Sequence, residues 1–382
     1  MQHANFLLRS DLQQMLNIIS GDGFRVLGPR LRDGAIFYED LRAVDELPGG
    51  WGDVQSPGRY RLEHQESPRY FAWANGPQAL KPHLFRPRES LWRVNREDGG
   101  ELAFSEPAMP DAPLAIIGVR ACDLAALELQ DRHFLGSIPD PYYAARREGL
   151  LIVAVHCTHP ADTCFCASTG DGPRAERGFD LALSELDEGY LVEVGSERGE
   201  RIARRLPLQA SSEAQRQLAA AEIEGAAARQ TRRLPEGNLR DTLFARLDHA
   251  RWDEVAARCL SCGNCTSVCP TCFCHAEQDV PALDATSSEH VRQWDSCFTE
   301  GHSYIHGIVI RAETGQRYRQ WMTHKLGSWH DQYGRSGCVG CGRCLTWCPV
   351  GIDLTEEAQA ICAPLKDEAE DKTGDAIEEG KV

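Results

Sequence analysis

No stretch of the 382-residue sequence reaches about 18 uninterrupted apolar residues, the length a helix needs to cross a bilayer. The opening segment MQHANFLLRSDLQQMLNIIS also lacks the succession of basic start, apolar run and small-residue cleavage site, so a cytoplasmic protein is expected. Positive charge is in deficit: 41 Lys and Arg stand against 57 Asp and Glu, a formal net charge of −16. That excess repels polyanions at long range, and neither nucleic acid nor an anionic membrane surface is expected as a partner. No G-x-G-x-x-G follows a strand and opens a helix, and no Walker-type loop occurs, so the chain itself is expected to bind no flavin or nucleotide. Nor does a Ser-His-Asp set or a pair of carboxylates stand out, and no catalytic residue is assigned.

What remains is a folded chain rich in thiols. Hydrophobic residues make up 42% and charged residues 26%, the composition of a globular protein, and the length calls for two or three domains. The sequence holds 16 cysteines. In a reducing compartment clustered thiols point to metal rather than to disulfides.

The start resembles a docked amphipathic helix, with Ser10 and Gln13 in a capping-box pattern and Leu12, Met15, Leu16 and Ile19 at helical spacing. FRVLGPRL, AIFYED, RYRLEH and RYFAWA then read as short strands between Gly and Pro. LAIIGV and LLIVAVH, with DLAALELQDRHF between them, predict a βαβ element, and YLVEVGS a further strand. The fold class expected is an α+β N-terminal domain with a partly parallel sheet over 1–210. A helical connector over 211–254 and an α-helical, ferredoxin-like 4Fe-4S dicluster domain over 255–360 follow, and an acidic tail, expected to be mobile, closes the chain over 361–382.

The strongest signal is a repeat. Cys259, Cys262, Cys265 and Cys269 precede Pro270, and Cys338, Cys341, Cys344 and Cys348 precede Pro349, so C-x2-C-x2-C-x3-C-P occurs twice. This is the run in which three thiolates wrap one face of a 4Fe-4S cluster while the fourth ligates the other cluster. One cluster then takes Cys259, Cys262, Cys265 and Cys348, and the other Cys338, Cys341, Cys344 and Cys269. Gly263, Gly340 and Gly342 let backbone N–H groups approach the cluster sulfurs. A zinc-stabilised scaffold, the alternative, favours separated C-x2–4-C pairs. Two neighbouring clusters without an open iron serve electron transfer.

Four earlier cysteines form a second pattern. Cys122 ends a strand-to-helix turn, Cys157 ends the next strand, and Cys164 and Cys166 lie in the TCFC loop after it. Thiols at the ends of adjacent parallel strands face one edge of a sheet. They are read either as small buried residues or, by their number, as the ligands of a third 4Fe-4S cluster. Asp123 and His156 are outside candidates for a ligand, although an Asp after such a turn more often caps the helix. A second TCFC with Cys272 and Cys274, and Cys297 beyond it, offers no evident fourth ligand, and Cys362 reads as structural. Tyr318, Met322, Leu326, Trp329 and Tyr333 follow at helical spacing and are expected to pack over the clusters. His302, His306 and His324 read as solvated or supporting residues.

Together GVRACDLAAL, DPYYAARREGLLIVAVHC, TCFCASTGDGP, CLSCGNCTSVCPTCFC, WDSCFTEGHSY and RYRQWMTHKLGSWHDQYGRSGCVGCGRCLTWCPVGID resemble the iron-sulfur β subunit of cytosolic NAD(P)-linked NiFe hydrogenases of the sulfhydrogenase type. They are also similar to the electron-transfer subunit of anaerobic sulfite reductase, a related carrier. The resemblance implies a non-catalytic electron-transfer subunit between a flavin/NAD(P)-binding subunit and the small and large NiFe hydrogenase subunits. It also places Cys122, Cys157, Cys164 and Cys166 in the family's recurrent N-terminal cysteine segments.

Overall fold

The computed structural model describes residues 5–106 and 112–364. The acidic tail from 365 onward, expected to be mobile, lies outside the described residues. Strand β1 (Asn5–Leu8) and the helix Leu12–Gly21 lead into the hairpin β2 (Arg25–Arg32) and β3 (Ala35–Asp40). Two further hairpins follow, β4 (Trp51–Ser56) with β5 (Arg59–His64), and β6 (Arg88–Arg96) with β7 (Leu102–Ser105). Next come β8 (Leu114–Val119), the helices Ala121–Phe134 and Pro141–Glu148, and β9 (Leu151–Val155). Strands β10 (Leu181–Glu185), β11 (Gly189–Val194) and β12 (Gln209–Ala210) complete this half.

These strands form an eight-stranded sheet in the order β12-β1-β11-β10-β9-β8-β2-β3. Strands β10, β9, β8 and β2 run parallel to one another, and the outer pairs are antiparallel. Every residue of β9 and β10 is buried. A parallel strand covered on both faces has no solvent side, which is why LLIVAV is an unbroken apolar run. The expected βαβ element is present.

Leu12, Met15, Leu16 and Ile19 are buried on the first helix as their spacing predicts, but Ser10 and Gln13 form no capping box. A single 3-10 turn, Arg9–Asp11, precedes the helix, and Gln13 instead accepts from Val44 N at 3.0 Å. RYFAWA is not a strand either. Its backbone is satisfied by side chains: Tyr70 N and Phe71 N donate to the Glu185 carboxylate at 2.8 Å, and the Phe71 and Trp73 carbonyls accept from Arg120. Backbone groups satisfied in this way do not need a ladder.

The helices Glu213–Ala228, Leu239–Phe244 and Arg251–Ala256 occupy the stretch read as a connector. Beyond them, the region expected to be α-helical is mixed. It carries β13 (His275–Pro281), β14 (Ser287–Trp294) and the small hairpin β15 (Tyr304–Ile305) and β16 (Ile308–Val309), besides short helices. The second sheet has the order β13-β14-β6-β7, so strands distant in sequence share one ladder. Charged residues pin this junction. Glu89 on β6 is buried and pairs with Arg146, and with Arg292 of β14 at 2.9 Å; Arg292 also meets Asp140. Replacing Glu89 by Ala leaves two buried guanidinium groups short of a carboxylate. The expected loss is about 3–5 kcal/mol, read as a lower urea midpoint by circular dichroism; an unchanged midpoint would show that the network does not stabilise the fold.

Candidate metal centres

Gly263 and Gly342 each lie between the second and third cysteine of a run, both at φ 75°. That left-handed conformation costs little without a β-carbon, and it lets a short helix, Asn264–Ser267 or Arg343–Thr346, begin at once. The two helices pack together, and Asn264 Nδ2 donates to Trp347 O at 3.1 Å. Through this pairing the fourth cysteine of each run meets the first three of the other. Cys259, Cys262, Cys265 and Cys348 line one cavity walled by Phe298, Tyr318 and Trp321, with Cys344 at its border. Cys269, Cys338 and Cys341 all lie within electrostatic reach of Cys344.

The chemistry of these thiols fits metal. Burial pushes Cys338 up to about 12 and raises Cys265 and Cys344 well above the usual thiol value. Thiolates at such depth need a compensating cation, which bound iron would supply. Backbone donors are already in place, with Ser261 N 3.4 Å from Cys259 Sγ and Ile352 N 3.3 Å from Cys348 Sγ.

The N-terminal four also converge. Cys122 and Cys157 leave the carboxyl ends of the adjacent parallel strands β8 and β9, and a bulge at Gly118 turns the first of these ends. Both line one cavity with Cys164 and Cys166. Gln230 Nε2 donates to Cys166 Sγ at 3.4 Å, and burial pushes the Cys166 thiol up to about 12. Arg120 lines the same cavity and is 1% exposed. Its Nη2 donates to the Phe71 and Trp73 carbonyls and its guanidinium lies 4.3 Å over the Trp73 ring, while Nε and Nη1 have no hydrogen-bond partner among the described residues. An unsatisfied buried guanidinium beside four thiols fits a site made for an anionic group.

The second and N-terminal thiol sets adjoin. Phe165 N donates to Gly340 O at 2.8 Å, and the Thr163 and Thr346 hydroxyls are 2.8 Å apart. Asp123 does not cap its helix; its carboxylate takes both Nη atoms of Arg343, at 2.8 and 3.0 Å, and the two residues are 2% exposed each. His156 is engaged elsewhere, accepting from Ala175 N at 3.0 Å with Nε2 3.4 Å from Glu193. Neither outside candidate therefore faces the thiols as a free ligand.

The remaining cysteines gather less completely. Cys272 lies against Cys269, and Cys297 lies within reach of Cys265 and Cys274. Cys362 is half-buried against the second core. His302 Nδ1 is hydrogen-bonded to the Asp295 carboxylate at 2.8 Å, and His324 Nε2 accepts from Trp329 Nε1 at 3.2 Å, both as supporting residues. Tyr318, Met322, Leu326 and Trp329 are buried as expected, while Tyr333, expected with them, is only partly buried at the edge of the same packing. Sequence reading missed Arg120, Gln230, Asn75, Lys81 and Lys325, the polar residues around the thiols. Only Arg120, two residues before Cys122, carried a positional hint.

A family model described as a 4Fe-4S dicluster domain matches residues 258–352. The chain is 32% identical over 323 residues to "Sulfhydrogenase 2 subunit beta" of Pyrococcus furiosus, an alignment covering 83% of this chain and 93% of that one. No solved structure matches. Among the described residues no helix is long and apolar enough to cross a membrane. Similarity of that extent, carried by a chain whose C-terminal thiols gather in crossed sets of the dicluster kind, makes this protein a member of the sulfhydrogenase beta-subunit family of iron-sulfur proteins.

Proposed function

We propose that the chain is the electron relay of a cytoplasmic NAD(P)-linked NiFe hydrogenase, holding three 4Fe-4S clusters and passing electrons between a flavin/NAD(P)-binding subunit and the small and large hydrogenase subunits. The first cluster is held by Cys259, Cys262, Cys265 and Cys348, the second by Cys338, Cys341, Cys344 and Cys269, and the third by Cys122, Cys157, Cys164 and Cys166. The observation that carries this reading is the convergence of the N-terminal four in one cavity that also touches Cys341 of the second set. When bound, such clusters supply one-electron acceptors and donors without an open coordination site.

The protein's own residues hold and shield the thiols. Phe298, Tyr318 and Trp321 wall the first site, and Cys122, Cys164 and Cys166 are buried in the third. Cys262 is exposed, and Leu260 and Val350 beside it are 63% and 37% exposed. An apolar rim around the most accessible thiol fits a docking place for a redox partner. A zinc scaffold is less well supported. Zinc sites favour separated C-x2–4-C pairs, whereas both complete four-cysteine runs here lie inside the match to a 4Fe-4S dicluster domain.

Anaerobically purified chain should contain about twelve iron and twelve sulfide per molecule, and the Cys164→Ala, Cys166→Ala double variant about eight of each. Equal iron in the variant and the parent would remove the third site, and zinc with negligible iron would end the relay reading. Isolated from its own cells, the complex should carry nickel and flavin and reduce NAD(P) with hydrogen. Co-purification with a sirohaem protein, and sulfite-dependent NADH oxidation without hydrogen uptake, would assign the relay to a sulfite reductase instead.

A further inference from the structure

The helix that begins at Thr314 does not continue regularly. After Thr323 it passes through a π-helical turn, His324–Ser328, before Trp329–Tyr333. Lys325, Leu326 and Gly327 are buried in succession there, which a one-sided α-helical stripe does not produce. The irregular turn brings Lys325 inward, and the residue is 4% exposed.

Its surroundings centre on the second thiol set. Lys325 Nζ donates to Thr271 Oγ1 at 2.9 Å. That hydroxyl lies 3.2 Å from Cys269 Sγ and 2.7 Å from Gly337 O, and with Lys325 donating to its oxygen its one proton is shared between the carbonyl and the sulfur, which is the acceptor when it is a thiolate. The backbone of Lys325 acts on the other run, its carbonyl accepting from Gly337 N at 2.8 Å, one residue before Cys338. One residue thus braces both segments that form the second set. The groups within reach of its ammonium include the Cys269, Cys272, Cys338 and Cys297 thiols, the His324 ring, a second buried cation at Lys81, and the Trp329 ring, 5.3 Å from Nζ to centroid. Among the described ion pairs no carboxylate joins Lys325. A buried ammonium with only sulfur as counter-charge is unfavourable unless that sulfur is anionic.

We propose that Lys325 is a positioning residue that fixes Cys269 through Thr271 and raises the reduction potential of the second cluster. This rests on the dicluster reading above. A fixed positive charge in a low-dielectric wall favours whichever redox state carries more negative charge, here the reduced one. Reduction adds one electron and moves no proton, so Lys325 keeps its charge throughout. Its effect is greatest on the site it touches, so the shift is expected in the second cluster alone.

The test uses the iron-loaded full chain as Lys325→Met, Lys325→Arg and Thr271→Val, with iron counted first and each cluster then titrated by potentiometry under electron paramagnetic resonance. In Lys325→Met one midpoint should fall, raising the oxidised-to-reduced ratio at the parent midpoint at least tenfold, about 59 mV for a one-electron couple. Lys325→Arg should restore the parent value, and Thr271→Val should move the same midpoint down by less. Full iron with unmoved midpoints in both Lys325→Met and Thr271→Val overturns the proposal. If Lys325→Met instead loses a cluster, retention of iron and midpoint by Lys325→Arg supports the charge role, and loss in Lys325→Arg too refutes it. A parent chain without iron sinks the relay reading and this one with it, and the iron count reveals that before any potential is read.

Discussion

The molecule depends on one close backbone approach, where the segment 163–166 lies against the loop 338–344. A β-carbon on Gly340 would stand 2.5 Å from Cys166 N, and one on Gly342 would stand 2.5 Å from Thr163 O. Both glycines also have positive φ, so the contact needs residues that avoid a steric conflict on two counts. Its consequence is chemical as much as structural. The Phe165 ring becomes wholly buried, water is displaced, and the thiols of two sets share one wall. The hairpin β4–β5 completes the enclosure from the other side: Gly58 N donates to Leu345 O at 3.0 Å, and Tyr60 stacks on Trp347 with centroids 5.0 Å apart.

Charge follows the same logic. The chain has a net charge of −16, yet Arg120, Lys81 and Lys325 are buried beside thiols, and no carboxylate pairs with them among the described ion pairs. Lys81 Nζ is satisfied by carbonyls alone, those of Thr266, Ser267 and Cys269 at 3.1–3.3 Å. By contrast Arg343, inside a cysteine run, is matched by Asp123. An isolated buried cation costs several kcal/mol, so three of them beside the thiols fit a wall built to face anionic clusters.

Much of this was legible in the chain because the signals were local. The cysteine runs carry their own spacing, LLIVAVH its continuous burial, and the row from Tyr318 to Trp329 its helical period. The first helix was readable by period but not by cap, since Gln13 is taken by Val44, a partner from elsewhere in the chain. RYFAWA has the residue types of a strand, and only the distant Glu185 and Arg120 divert its backbone from a ladder. The β6–β14 pairing, the Asp123–Arg343 pair and the inward turn of Lys325 all join residues far apart in sequence or override a local period. No window of a few residues contains them.

The two TCFC segments show the same limit from another side. At 163–166 the tetrapeptide follows β9, beside the end of β8, and those strand ends present Cys157 and Cys122 to its own two thiols. At 271–274 it runs into β13, whose partner strand β14 ends in a segment that offers Cys297; Asp295 N donates to Cys274 O at 3.0 Å there. The cavity bordered by Cys272 and Cys274 takes its other thiol, Cys262, from the first dicluster set, and Cys272 leans on Cys269 of the second. Identical residues therefore complete a set of four N-terminal thiols in one place and support neighbouring sets in the other. What decides is the number of strand ends that reach the segment, a property of sheet topology rather than of the motif.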